Sequence, residues 1–229
     1  MGSDNKPPTT PSGGTAPRWE AEPTGFKPIL SMLGMNSVMQ SIGVGIAYAT
    51  YKFGATALYS DKMMAAIAGG GYWMYAGLAV SAFAIRFVNF YPMIYKEKVM
   101  KGALRDEIGA NMRSNPFIYR SVGPSKETVL FENEGVVGKY NRANRSLTHM
   151  VENMGSMLGG FMLAGSVFPF PVFMCACFWS AGRVVHQTGY TSGYGGHGLG
   201  FLISTLAQVT LEGLVILVAL AGMGAIAVK

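Results

Sequence analysis

Charge is scarce in this chain. Lys, Arg, Asp and Glu make up 13% of its 229 residues, against about 25% in an ordinary soluble domain. Half of the residues are hydrophobic and the mean hydropathy is +0.28, so the shortage points to an integral membrane protein. The little charge is unevenly spread. Ten of the 18 basic residues lie between Lys96 and Arg145 among six acids, and beyond Arg145 only Arg183 and Lys229 follow. The net charge of +6 therefore describes one polar loop rather than a nucleic-acid surface, and no nucleic-acid partner is expected. Lys and Arg near span ends bias that loop to the cytoplasmic or equivalent side. Cysteine is scarce too: Cys175 and Cys177 stand two apart, do not share a helix face and have no His beside them to complete a zinc site. They read as small buried hydrophobes, and no metal is expected. The apolar runs lack alternation over about 10 residues, which excludes a membrane β-barrel.

Residues 1–28 form a polar tail rich in Pro, Gly, Ser and Thr, expected to be extended or disordered in isolation. The tail lacks the apolar core of a secretory signal, and Asp4, Glu20 and Glu22 argue against an acid-poor transit peptide. Lys6 stands where a myristoylation signal carries Ser or Thr. Five hydrophobic segments follow. The first, 29–59, is diluted by Ser31, Asn36, Gln40 and Lys52, and is read as a weak span or a helix lying along the membrane or a partner. The others are expected at 65–95, 147–167, 172–190 and 199–228, about 20 residues being enough to cross. "FPFP" (168–171) reads as a tight reversal, and "GYTSGYGGHGLG" (189–200) as a glycine-rich turn. The expected fold is all-α: an antiparallel four-helix transmembrane bundle, preceded by the extra hydrophobic segment and the tail.

Several polar groups enter these spans. In "NRSLTHMVENM" (144–154), Arg145, His149 and Glu152 have i, i+4, i+7 spacing and share a helix face. In "GRVVHQTGY", Arg183, His186 and Tyr190 form a second stripe. The two helices run antiparallel, so the stripes converge near the charged loop. Burying such groups is costly, which makes them candidates for an anionic, polar ligand. Spacing alone favours a plainer reading, a snorkelling Arg145 with a structural Glu152–Arg183 pair. Glu212, near the middle of the fifth segment with Gln208 one turn earlier, reads as a hydrogen-bonded or protonated carboxylate at a helix contact, or as a proton relay or subunit contact. The glycine patterns at 43–47 and 68–73 are close-packing signals, since no strand and Lys of a phosphate loop accompany them.

The two stripes resemble those of the MAPEG family, the membrane-associated proteins in eicosanoid and glutathione metabolism. That family enters its second membrane helix with Arg-Ala-His/Gln-x-Asn-x-x-Glu-Asn/Tyr. Here "RSLTHMVEN" supplies Arg145, Glu152 and Asn153, with His149 where the family carries Asn. The family's third helix ends in Ala/Gly-Arg-x-x-Tyr/His-x-x-Gly/Ala-Tyr, matched by Gly182, Arg183, His186 and Tyr190. The resemblance covers about 65–228 and defines a MAPEG-like domain at 60–229, with its charged loop at about 96–145.

It implies a homotrimer that binds glutathione as co-substrate at subunit contacts and activates its thiol for conjugation, peroxide reduction or isomerisation. Arg145, His149, Glu152, Asn153, Arg183, His186 and Tyr190 would line the pocket. Arginine suits the tripeptide's carboxylates and Glu its ammonium. His197 replaces the arginine that the family places after the third-helix tyrosine, and is the candidate catalytic group. The missing arginine and the added N-terminal segment support a different expectation: a supernumerary subunit of a large membrane assembly such as a mitochondrial respiratory complex. The membrane is expected to be that of the endoplasmic reticulum or the mitochondrion, with lipid as the common partner.

Overall fold

The computed structural model describes residues 26–100, 117–122 and 128–227. The polar tail up to residue 25 and most of the charged loop lie outside them. Helix α1, Lys27–Phe53, starts with Pro28 in its first turn, where a missing N–H costs nothing. Gly54 ends it, and α2, Thr56–Ile67, turns away from it. A 3₁₀ turn at Ala68–Gly70, with Gly69 and Gly70 at positive φ, leads into α3, Tyr72–Phe90, which continues through Tyr91 and Pro92 into α4, Met93–Lys98. The hydrophobic segment expected at 29–59 is thus one long helix and the first residues of a second.

The charged loop carries a small antiparallel hairpin, β1 (Tyr119–Val122) against β2 (Thr128–Phe131), with Tyr119 opposite Phe131 and Val122 opposite Thr128. Asn141 fixes its base. The side-chain oxygen accepts from Ile118 N–H at 2.8 Å, and the amide donates to Ile118 and Glu132 carbonyls at 2.6 and 2.8 Å. Three further helices follow among the described residues: α5, Gly135–Gly165; α6, Pro169–Ser192; and α7, Gly198–Gly222.

Two helix starts differ from the sequence expectation. Helix α5 begins at Gly135, so the last eleven residues of the anticipated loop are its first turns. Hydropathy misses them because Asn141, Arg142, Asn144 and Ser146 are polar, yet all four are buried. Helix α6 begins at Pro169, so the prolines of "FPFP" open the helix instead of forming the reversal, which the preceding residues make. Neither position needs an N–H donor in the first turn.

Helices α3, α5, α6 and α7 form the antiparallel bundle, with α6 packed against the other three. Trp179, Phe87, Phe161, Met150, Met157 and Leu211 fill its core. Among the described residues, three helical stretches are long and apolar enough to cross a membrane, 27–53, 72–98 and 198–222. Helix α5, at 31 residues, is about 46 Å long at 1.5 Å per residue, enough to cross and to project beyond the hydrocarbon layer. Helix α1 docks on α3 through polar side chains. Arg86 Nε donates to Asn36 Oδ1 at 2.9 Å, Arg86 also bonds Gln40 Oε1, and Asn36 Nδ2 donates to Phe83 O at 2.9 Å. Both cysteines are free thiols, Cys175 buried and Cys177 half-buried.

Candidate functional site

The site lies where α5, α6 and α7 meet near the loop end of the bundle, and glycines make the meeting close. A Cβ on Gly200 would stand 2.2 Å from His186 N, and one on Gly182 2.6 Å from Ser204 N. Real Cβ atoms do not reach such distances, so α6 and α7 cross with their backbones in contact, as small residues permit in membranes. Beyond the crossing, a Cβ on Gly189 would meet Gly196 O at 2.1 Å. This second approach folds the "GYTSGYGGHGLG" turn back on α6 and returns His197 to Tyr190.

The result is a column of rings. His149 and His186 stack with centroids 5.5 Å apart, and His186 stacks on Tyr190 at 5.6 Å. His197 meets Tyr190 and His186 edge-on at 5.1 and 5.8 Å. His186 shares a 2.9 Å hydrogen bond with Ser146 through Nδ1. Arg183, 3% exposed, donates from Nη1 to His149 Nδ1 at 3.1 Å and from Nη2 to Ser146 O at 3.0 Å. Because arginine is always a donor, His149 Nδ1 is the acceptor and its ring proton is on Nε2.

The polar stripe on α5 divides. Arg145 and Glu152 point outward, half exposed, and pair with each other at 3.1 Å. The anticipated Glu152–Arg183 pair therefore does not form: Arg183 turns inward to His149. Positions four and seven residues on deviate from Arg145 in opposite directions around the helix, and α6 takes the His149 side. Asn153 donates to its own helix, to His149 O at 2.8 Å. Glu212 is exposed on α7 and accepts from Gln208 Nε2 of its own helix at 3.3 Å, and it is Gln208 that reaches α5, donating to Ser156 Oγ at 2.7 Å.

Two polar cavities flank the column. The outer one, about 210 Å³, is lined by Phe131, Asn133, Arg142, Arg145, Tyr190 and Tyr194. The inner one, about 170 Å³, is lined by His149, Asn153, Arg183, Ser204, Thr205 and Gln208 among others. The predicted residues are thus brought to one end of the bundle but shared between two chambers.

Arg142 and Tyr194 escaped the sequence reading. Arg142 donates to Thr191 O at 3.1 Å and Asn133 O at 2.6 Å, with its guanidinium 5.8 Å from the Tyr194 ring centroid. Tyr194 in turn donates to Asn133 Oδ1 at 2.7 Å. The signal for Arg142 was its place one turn before Arg145, visible only once α5 is known to start at Gly135. Among the described residues, no group of three His, Cys, Asp or Glu side chains is placed to hold a metal.

No curated protein and no solved structure matches the chain. The family model of the MAPEG family matches residues 108–220, the stretch that holds every residue of both chambers and all but the last two residues of α7, and this match supports membership of the MAPEG family.

Proposed function

We propose that the protein binds glutathione in the outer chamber and activates its thiol for conjugation to an electrophile or for peroxide reduction. The observation that carries this reading is the pairing of two guanidinium groups, Arg142 and Arg145, with Tyr190 and Tyr194 around one cavity of about 210 Å³. Glutathione has two carboxylates and one ammonium. Arg145 offers paired donors to a carboxylate, and Glu152, held beside it at 3.1 Å, accepts from the ammonium. The half-exposed pair leaves the chamber open on one side, where a second copy of the chain would complete it.

His197 Nδ1 is buried and has no hydrogen-bond partner among the described residues. With its ring proton on Nε2 it can take the thiol proton as the sulfur bonds to the electrophilic carbon and the electrophile's leaving group departs with the bonding pair. Tyr190, edge-on to that ring, can donate to the sulfur. Titration of the detergent-solubilised protein with glutathione tests the reading. Saturable binding is expected, weakened about 10-fold or more in Arg145→Ala, the cost of one charge-assisted hydrogen bond. No saturation at millimolar glutathione overturns it.

A specific observation favours a second reading, a structural subunit of a larger membrane assembly. His197 stands where the family carries a permanent cation, and α1 adds a docked helix whose Val38, Ile42 and Ile46 are exposed. Native electrophoresis of the solubilised membrane separates the two. Co-migration with a large complex supports the subunit reading, and migration only as a small homo-oligomer removes it.

A further inference from the structure

The inner chamber holds a buried arginine without a counter-ion. Arg183 is 3% exposed, and its two hydrogen bonds leave its charge unanswered: His149 Nδ1 and Ser146 O are neutral acceptors, and Nε is buried with no partner among the described residues. The two nearby carboxylates are engaged elsewhere, Glu152 by Arg145 and Glu212 by Gln208, and neither lines the cavity. An unpaired guanidinium inside a membrane bundle is costly, and such groups pair or mark an ion site.

The same cavity presents further donors. His149 carries its ring proton on Nε2, as its bond to Arg183 requires, and that nitrogen makes no hydrogen bond among the described residues. Thr205 lines the wall with its hydroxyl also unbonded to any of them. Ser204, 4% exposed, sits beside it and bonds only its own helix at Phe201 O. The volume of about 170 Å³ equals roughly five waters in the liquid, room for a small anion.

We propose that this chamber is a binding site for a small monovalent anion, a halide or a carboxylate of formate size, held by Arg183, His149 and Thr205. The site is separate from the glutathione reading, since the outer chamber takes the tripeptide through Arg142 and Arg145. The anion neutralises Arg183 and so fixes the crossing of α5, α6 and α7 beneath the ring column.

Trp179 lines the chamber at 1% exposure and serves as a reporter. The purified protein, free of glutathione, is moved from gluconate to chloride or formate at constant ionic strength. The melting temperature is expected to rise along a saturable curve, by about 5 °C at 100-fold excess over Kd. Bromide is expected to quench the buried tryptophan over the same concentration range. Arg183→Gln is expected to abolish both responses, and Thr205→Val to shift both curves about 10-fold to higher anion; the second variant keeps the test decisive if the first does not fold.

Equal melting in gluconate, chloride and formate with no bromide quenching overturns the proposal. So does an unchanged response in Thr205→Val and Arg183→Gln. If only glutathione stabilises the protein, and Arg183→Gln removes that effect, Arg183 belongs to the tripeptide site and the small-anion site does not exist. Failure of glutathione to bind, with the anion response intact, removes the outer-chamber reading alone.

Discussion

Arg142 shows how a single side chain can hold a site together without being its most visible member. It is buried, and its donors reach two carbonyls on separate elements, Asn133 after the hairpin and Thr191 at the end of α6. Removing it orphans both carbonyls and takes one wall from the outer chamber. Arg142→Ala is expected to cost about 2–3 kcal/mol, the range for a buried charged hydrogen-bond donor. Chemical unfolding in detergent checks that figure. Lysine in its place keeps the charge but lacks the planar fork that spans two acceptors, so Arg142→Lys is expected to recover less than half of the loss. Protease cleavage between 128 and 134 should increase in both variants, because the strand then loses its tie to α6. Full stability in Arg142→Ala would show that Asn141 alone secures the hairpin.

At the scale of elements, the α6–α7 crossing is the feature on which the chambers depend. Hydrophobic burial cannot drive helices together in lipid, which is as apolar as Leu, so contact distance and packing decide. Gly182 and Gly200 let two backbones touch, and that contact sets Arg183 beside Ser204 and His186 beside Phe201. Gly200→Val is expected to destabilise by more than about 3 kcal/mol, since the obstructing atoms are backbone and cannot rotate away. Gly213→Ala on the same helix serves as the control. A Cβ there meets nothing within 4 Å, and the melting temperature should stay within a degree or two of the parent. A folded, stable Gly200→Val would mean that the crossing can open without cost.

For the whole molecule, the question is how α1 joins the bundle. Asn36 is fully buried although most of α1 is exposed, and with Gln40 it answers the one cation of α3, Arg86. Asn36→Leu leaves Arg86 short of a partner inside the membrane. A membrane hydrogen bond is worth about 0.6–1.7 kcal/mol, so α1 should loosen without the bundle unfolding. Faster cleavage at the Gly54–Ala55 bend, at an unchanged bundle melting temperature, is the expected readout. The double variant Asn36→Leu with Arg86→Leu should hold α1 better than Asn36→Leu alone, because no unpaired charge remains. Equal cleavage of parent and single variant would show that apolar packing alone seats α1.

The chain order of polar and apolar residues was enough to read an all-α membrane bundle, its reversals to within a few residues, and the two stripes that resemble the MAPEG family. Hydropathy and helical spacing are local properties, written in the sequence itself. It was also enough to single out Arg145, His149, Glu152, Arg183, His186 and Tyr190 as two converging stripes, while His197 entered only through the family resemblance. Chain order could not divide those residues. Arg145 and Glu152 pair outward while His149 and Arg183 turn inward, because α6 occupies one side of the α5 face and the chain alone does not say which. Nor could it find Arg142, hidden in what hydropathy scores as loop, or the inner chamber. That chamber exists because glycines far apart in the chain let two backbones meet, and only the tertiary structure decides which glycines face one another.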